Sequence, residues 1–149
     1  MRRDRGRARR ASLALAATVI VALGSGCDHG REETAALAAA VDAFRGAPDA
    51  DKPGRADAIA KLRCSDREVC AAKADCLAVA TASVKALALQ KEGQGKLADL
   101  KQGRLAPDAP EAAALPAKLD EAERQVAEAK SHVEGCDAQI KVLQRKHGL

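Results

Sequence analysis

The sequence predicts an all-α protein organised as an antiparallel two-helix coiled-coil hairpin. Three observations predict it. From Ala112 to His147 the apolar residues recur at alternating steps of three and four: Ala112, Leu115, Leu119, Ala122, Val126, Ala129, Val133, Cys136, Ile140, Leu143, His147. That is a heptad register sustained over about five heptads, with charged residues between. A second, Ala-rich stretch upstream carries a wide apolar stripe at helical spacing, through Val69, Ala72, Cys76, Val79, Ala80, Val84, Leu87, Leu97 and Leu100. No segment alternates with the period of two that a strand requires.

The helices can be delimited from their end signals. The last runs over about 109–147. Asp108 with Glu111 three residues on offers a cap, and Pro110 suits a first turn. Pro116 should kink the helix or delay its regular start to about Ala117. Arg145, Lys146 and His147 suit the negative end of the helix dipole, and Gly148 stops the helix. The middle helix spans about 66–103. Ser65 followed by Glu68 reads as a capping box, and Gly93 and Gly95 mark a weak or bent place. Two shorter helices precede it, at about 33–45 and 55–63, separated by a loop at 46–54 that Pro48 and Pro53 interrupt. Leu37, Ala40, Val41 and Phe44 share one face of the first, and Ile59 and Leu62 turn inward from the second. Phe44, the one aromatic residue, reads as a core anchor. These two helices should pack at the cysteine-bearing end of the hairpin, leaving the far end as a thin arm.

In an antiparallel hairpin facing residues have a nearly constant index sum. With a turn between Gly103 and Asp108 the sum is near 211, and a register of 212 pairs apolar residues along most of the run. Val69 then faces Leu143, Ala72 faces Ile140, Cys76 faces Cys136, Val79 faces Val133, Ala86 faces Val126 and Leu97 faces Leu115. The coincidence of two cysteines is not imposed by the alignment. Small residues at Ala72, Ala80 and Ala129 allow the close axes that a disulfide requires. Cys76–Cys136 is therefore expected as a staple, with Cys64–Cys70 as a local pair. Cys70–Cys136 with Cys64–Cys76 is the runner-up.

The chain has 149 residues and a formal net charge of +4. Residues 1–27 carry six arginines and Asp4. Without them the 25 basic and 21 acidic residues of the chain become 19 and 20. The basicity belongs to the leader, so nothing supports a nucleic-acid surface. The leader itself is an Arg-rich start, an apolar run from Ala11 to Leu23, and Gly24-Ser25-Gly26-Cys27. The run is well short of the ~20 residues of a membrane-spanning helix, and the layout is that of a secretory signal.

With a cysteine directly after small residues, residues 1–27 resemble the bacterial lipoprotein signal and its lipobox. Gly24 stands where that family usually has Leu. The resemblance implies a signal peptide over 1–26, cleavage before Cys27, and acylation of Cys27 by chains such as palmitate. It implies a place in the bacterial cell envelope, membrane-anchored and facing the periplasm. Asp28 matches the family's inner-membrane retention signal. Residues 27–32 then form a lipidated cysteine and polar tether, and 33–149 a single helical domain. Beyond size, Ala/Arg usage and leader, the domain resembles small helical lipoproteins without a shared motif. Removing Cys27 from the five cysteines leaves Cys64, Cys70, Cys76 and Cys136, an even number that suits two disulfides in an oxidising compartment.

No catalytic constellation is visible. His29 falls in the tether, His147 at a helix end, and His132 four residues before Cys136 with Glu128 four before that. Two ligands at i and i+4 can share a metal, but a solvent-side histidine beside a disulfide is the plainer reading. The cysteine spacing fits neither a zinc ribbon nor a CxxC redox motif. No glycine-rich phosphate loop follows a strand. The expectation is a non-enzymatic envelope lipoprotein without cofactor. It contacts membrane lipid through acylated Cys27 and works by protein contact as a scaffold or interaction module for an envelope protein partner. The alternative is a periplasmic metal- or redox-sensing domain using His132 and cysteines. Homodimer formation through the exposed heptad stripe is a third reading.

Overall fold

The computed structural model of the protein describes residues 25–149, with side chains from residue 29 onward. The described residues are all-α, in five helices: α1 Ser25–Arg45, α2 Lys52–Lys61, α3 Arg67–Lys101, α4 Pro110–Ala113 and α5 Leu115–His147. The hairpin of α3 and α5 is the spine, α1 lies on both of its helices, and α2 packs on α1 and α3. The signal peptide expected over 1–26 falls almost wholly on residues 1–24, which lie outside the described residues.

The register of the hairpin is visible in its cross-helix pairs. Cys76 is bonded to Cys136, and a Cβ on Gly93 would touch Leu119. Both pairs of residue numbers sum to 212. Glu92 with Lys118 sums to 210 and Glu68 with Lys146 to 214, and both are ion pairs. Near the open end Val69, Ala72, Cys76, Cys136 and Leu143 are buried in one cluster, with Val79 and Ile140 at its edge. Leu37, Val41 and Phe44 from α1 and Ala56 and Ile59 from α2 complete that cluster, and Leu62 packs against it. Full burial of a side chain such as Leu37, Ile59 or Leu143 contributes about 1.5–3 kcal/mol each. The core therefore sits at one end of the hairpin.

The far half is built differently. The buried residues of α3 there are Ala82, Ala86 and Gly93, and those of α5 are Ala129 and Leu115. On α5 the buried residues Leu115, Ala129, Cys136 and Leu143 all hold one heptad position. The other position is only partly covered in the arm. Leu119 is 40% exposed and Val126 42%, and on α3 Leu97 is 41% exposed. The expected Ala86–Val126 and Leu97–Leu115 contacts thus bury one partner and not the other. Two helices alone cannot cover both flanks of a stripe this wide.

Several boundaries differ from the sequence expectations. α1 begins at Ser25, so residues 27–32 belong to the helix and form no tether. α2 begins at Lys52 and ends at Lys61, with Pro53 in its first turn, where a missing N–H costs nothing. The cap of α3 is Asp66, whose Oδ1 accepts from the Glu68 and Val69 nitrogens at 2.8 and 3.2 Å. Ser65 is not the cap, because its own N–H and hydroxyl are turned to Glu33. α3 continues unbroken through Gly93 and Gly95. Gly93 is buried beneath Leu119, so its missing side chain is filled by a neighbour rather than by a bend. At the tip, Gly103 adopts φ 69° in the left-handed region, and the Arg104 and Leu105 nitrogens donate to the Asp99 carbonyl at 2.9 and 3.2 Å. Asp108 caps nothing. Ala109 precedes α4 without a side-chain bond, and Ala114 separates α4 from α5, leaving Pro116 in a first turn. Gly148, at φ 66°, ends α5.

Candidate functional site

The chemistry-bearing residues converge at the open end of the hairpin, where the start of α1, the start of α3 and the end of α5 meet. In the α2–α3 connection, 62–66, side chains bond backbone groups that the two flanking helices leave without partners. The Glu33 carboxylate of α1 accepts from the Ser65 N–H at 2.8 and 2.9 Å, from the Ser65 hydroxyl at 2.7 Å and from the Asp66 N–H at 3.1 Å. These bonds, first that from the Ser65 hydroxyl and then those from the two N–H groups, hold the Glu33 pKa below the usual carboxylate range. Asp66 is also held low, by the Val69 and Glu68 N–H groups it caps. Lys73 Nζ closes the other side, donating to the Ala60 and Leu62 carbonyls at 2.8 and 2.6 Å at the C-terminal end of α2.

Two disulfides frame this junction. Cys64–Cys70 spans the connection and the first turn of α3, with Cα atoms 5.4 Å apart. Cys76–Cys136 joins α3 to α5, with Cα atoms 4.9 Å apart. At the outer edge α1 meets α5 through Gly30. A Cβ there would lie 2.9 Å from His147 Cε1, 3.2 Å from its Nε2 and 3.5 Å from the Asp66 carboxylate. Gly30 has no side chain where the imidazole lies. Its carbonyl accepts from the buried Thr34 hydroxyl at 2.7 Å. At the other end of α1, Arg45 pairs with Asp137 of α5. α1 thus runs antiparallel to α5 with its first residues at the open end.

The structure places Cys27 in the first turn of α1, three residues before Gly30, and does not describe its side chain. Lipidation there lies outside what the described atoms address. His132 Nδ1 is 3.5 Å from Asp75 Oδ1, and Asp75 also accepts from Gln139. Cys136, one turn from His132, has its sulfur bonded to Cys76 and so offers no thiolate. Among the described residues no three His, Cys, Asp or Glu side chains converge as a metal would need. His29 is exposed on α1 rather than on a tether. Among the described residues no helix is long and apolar enough to cross a membrane.

Sequence reasoning missed the Glu33 clamp and the Gly30–His147 contact. Both join residues far apart in the chain, and neither leaves a periodic signal. Comparison of the chain with protein-family models, with curated proteins and with solved structures finds no match in any of the three. Its class is therefore stated from structure alone, as a disulfide-stapled helical hairpin with a buttressed end and a bare arm.

Proposed function

We propose that this protein is a membrane-anchored lipoprotein of the bacterial cell envelope that works without catalysis, as a rigid helical scaffold for contact with an envelope partner. The observation that carries the reading is the position of Cys27. It closes an Arg-led apolar leader, and it is the one cysteine left over when Cys64, Cys70, Cys76 and Cys136 are joined in two disulfides. Disulfides persist in exported compartments and rarely in the cytosol, which agrees with an exporting leader. Acyl chains on Cys27, at about 0.8 kcal/mol per buried CH₂, suffice to hold a small domain at a bilayer.

The test is expression in a bacterial host fed an alkyne-tagged palmitate analogue, followed by fractionation and intact-mass measurement. Label on the wild type, a mass beginning at an acylated Cys27, and loss of both label and membrane retention in Cys27→Ala are expected. An unlabelled protein recovered in the soluble fraction would overturn the reading.

A further inference from the structure

We infer that the open end of the hairpin lies directly against an anionic lipid surface, so that the α3–α5 arm stands away from the membrane. The inference rests on the lipoprotein reading and adds to it an orientation.

Because α1 begins at Ser25, nothing flexible intervenes between Cys27 and the folded body. Three helical steps separate Cys27 from Gly30, a rise of about 4.5 Å. Gly30 itself is packed against His147 at the end of α5 and lies beside Asp66 at the start of α3. An anchor on Cys27 therefore holds those two helix ends at the height of the lipid headgroups. A polar tether would have let the body turn freely, and the structure has helix in its place.

The charge exposed at that end favours the same arrangement. Of its acidic groups, Glu33 is engaged by Ser65 and Asp66, Asp66 by the α3 N-terminus, and Glu68 by Lys146 at 2.9 Å. Arg31, Arg63, Arg67 and Arg145 are exposed and make no ion pair among the described residues, against Glu32, exposed, and Asp28, which follows Cys27 in the sequence. The uncompensated charge is positive, which attracts anionic headgroups within a Debye length of the surface. Beside it Val142 is 50% exposed. The arm, over 82–130, carries eight basic and eight acidic residues and so offers anionic headgroups no comparable excess of positive charge.

The test uses the acylated protein purified from its membrane and reconstituted in phosphatidylcholine vesicles with and without phosphatidylglycerol. A single added cysteine carries a donor dye, either at exposed Ala71 near the open end or at exposed Gln102 near the tip, with acceptors on the lipid headgroups. Thirty-one residues of helix separate the two sites, about 46 Å. Energy transfer several-fold greater from position 71 than from 102 is expected. In phosphatidylglycerol the difference widens, and Arg31→Glu with Arg67→Glu and Arg145→Glu removes that widening. Equal transfer from both positions in an acylated protein overturns the orientation and leaves the lipoprotein reading standing. An unmodified Cys27 in the intact mass overturns both. A difference that phosphatidylglycerol does not change overturns the anionic preference.

Discussion

Glu33 in α1 accepts hydrogen bonds from the backbone of both Ser65 and Asp66, thirty-two and thirty-three residues away, and so fixes the first helix to the start of the third. Ser65 with Glu68 reads from the sequence as a local capping box. In the structure the cap is shared: Asp66 closes α3, and Glu33 closes the peptide units in front of it.

Acid should loosen this junction. Glu33 and Asp66 have folded-state pKa values below their ordinary ones. Their contribution is therefore complete above the ordinary carboxylate range and is lost as pH falls through the depressed folded values. Exchange protection of the Ser65 and Asp66 amides should fall on acidification below that range. Glu33→Gln should lower protection at neutral pH and flatten the acid limb. A wild-type profile that does not change with acid would contradict the clamp.

Removing the cap should cost more than removing the neighbouring hydroxyl from helix capping. Asp66→Ala should destabilise by about 1 kcal/mol, within the usual span for an N-cap residue. Chemical denaturation of the two single variants, Asp66→Ala and Ser65→Ala, checks the assignment. In Glu33→Gln the effect of Ser65→Ala should shrink, since the Ser65 hydroxyl bonds Glu33.

The two disulfides should differ in strength. Cys76–Cys136 closes a separation of 60 residues and Cys64–Cys70 one of 6. Loop-closure arithmetic gives about 4 kcal/mol for the first and about 2 kcal/mol for the second. Thermal melts of the paired Cys→Ala variants should show the larger loss for 76/136. A non-reducing peptide map should yield these two pairs and no free thiol among the four, whereas a Cys70–Cys136 peptide would refute the connectivity.

Glycine positions separate contact from propensity. A Cβ on Gly95 meets nothing within 4 Å, so Gly95→Ala should stabilise by up to about 1 kcal/mol. Gly30→Ala gains the same propensity but displaces the His147 ring, and should come out near neutral. In a His147→Ala background the same change should become stabilising. Urea titration of the four combinations measures the coupling, and strict additivity would mean that the two residues do not touch.

Much of the architecture was legible in the primary structure. The heptad repeat after Leu115 and the constant index sum placed α3 against α5 and brought Cys76 to Cys136, because helix geometry converts spacing directly into facing. Gly148 marked a helix end for the same local reason. The start of α1 was not legible: polar His29 and Arg31 looked like tether, but the packing of Gly30 against His147 and the burial of Thr34 stabilise helix there. The coverage of Leu119 and Val126 was not legible either. A stripe shows that a face seeks burial, while the reach of α1 and α2 decides how much of it is met. Lys73, which closes α2 through two carbonyls, carried no sequence signal because a lone lysine on a helix is indistinguishable from a solvated one.

The Cys76–Cys136 link also has a consequence in time. A ribosome delivers Cys64, Cys70 and Cys76 together, each six residues from the next, long before the α5 cysteine exists. During that interval every bond open to Cys76 within its own chain is a wrong one. A nascent polypeptide oxidised early would be caught with neighbouring sulfurs crossed, and its rescue would depend on thiol exchange once the final helix arrives. The maturation of this small domain is thus governed by the last segment to emerge.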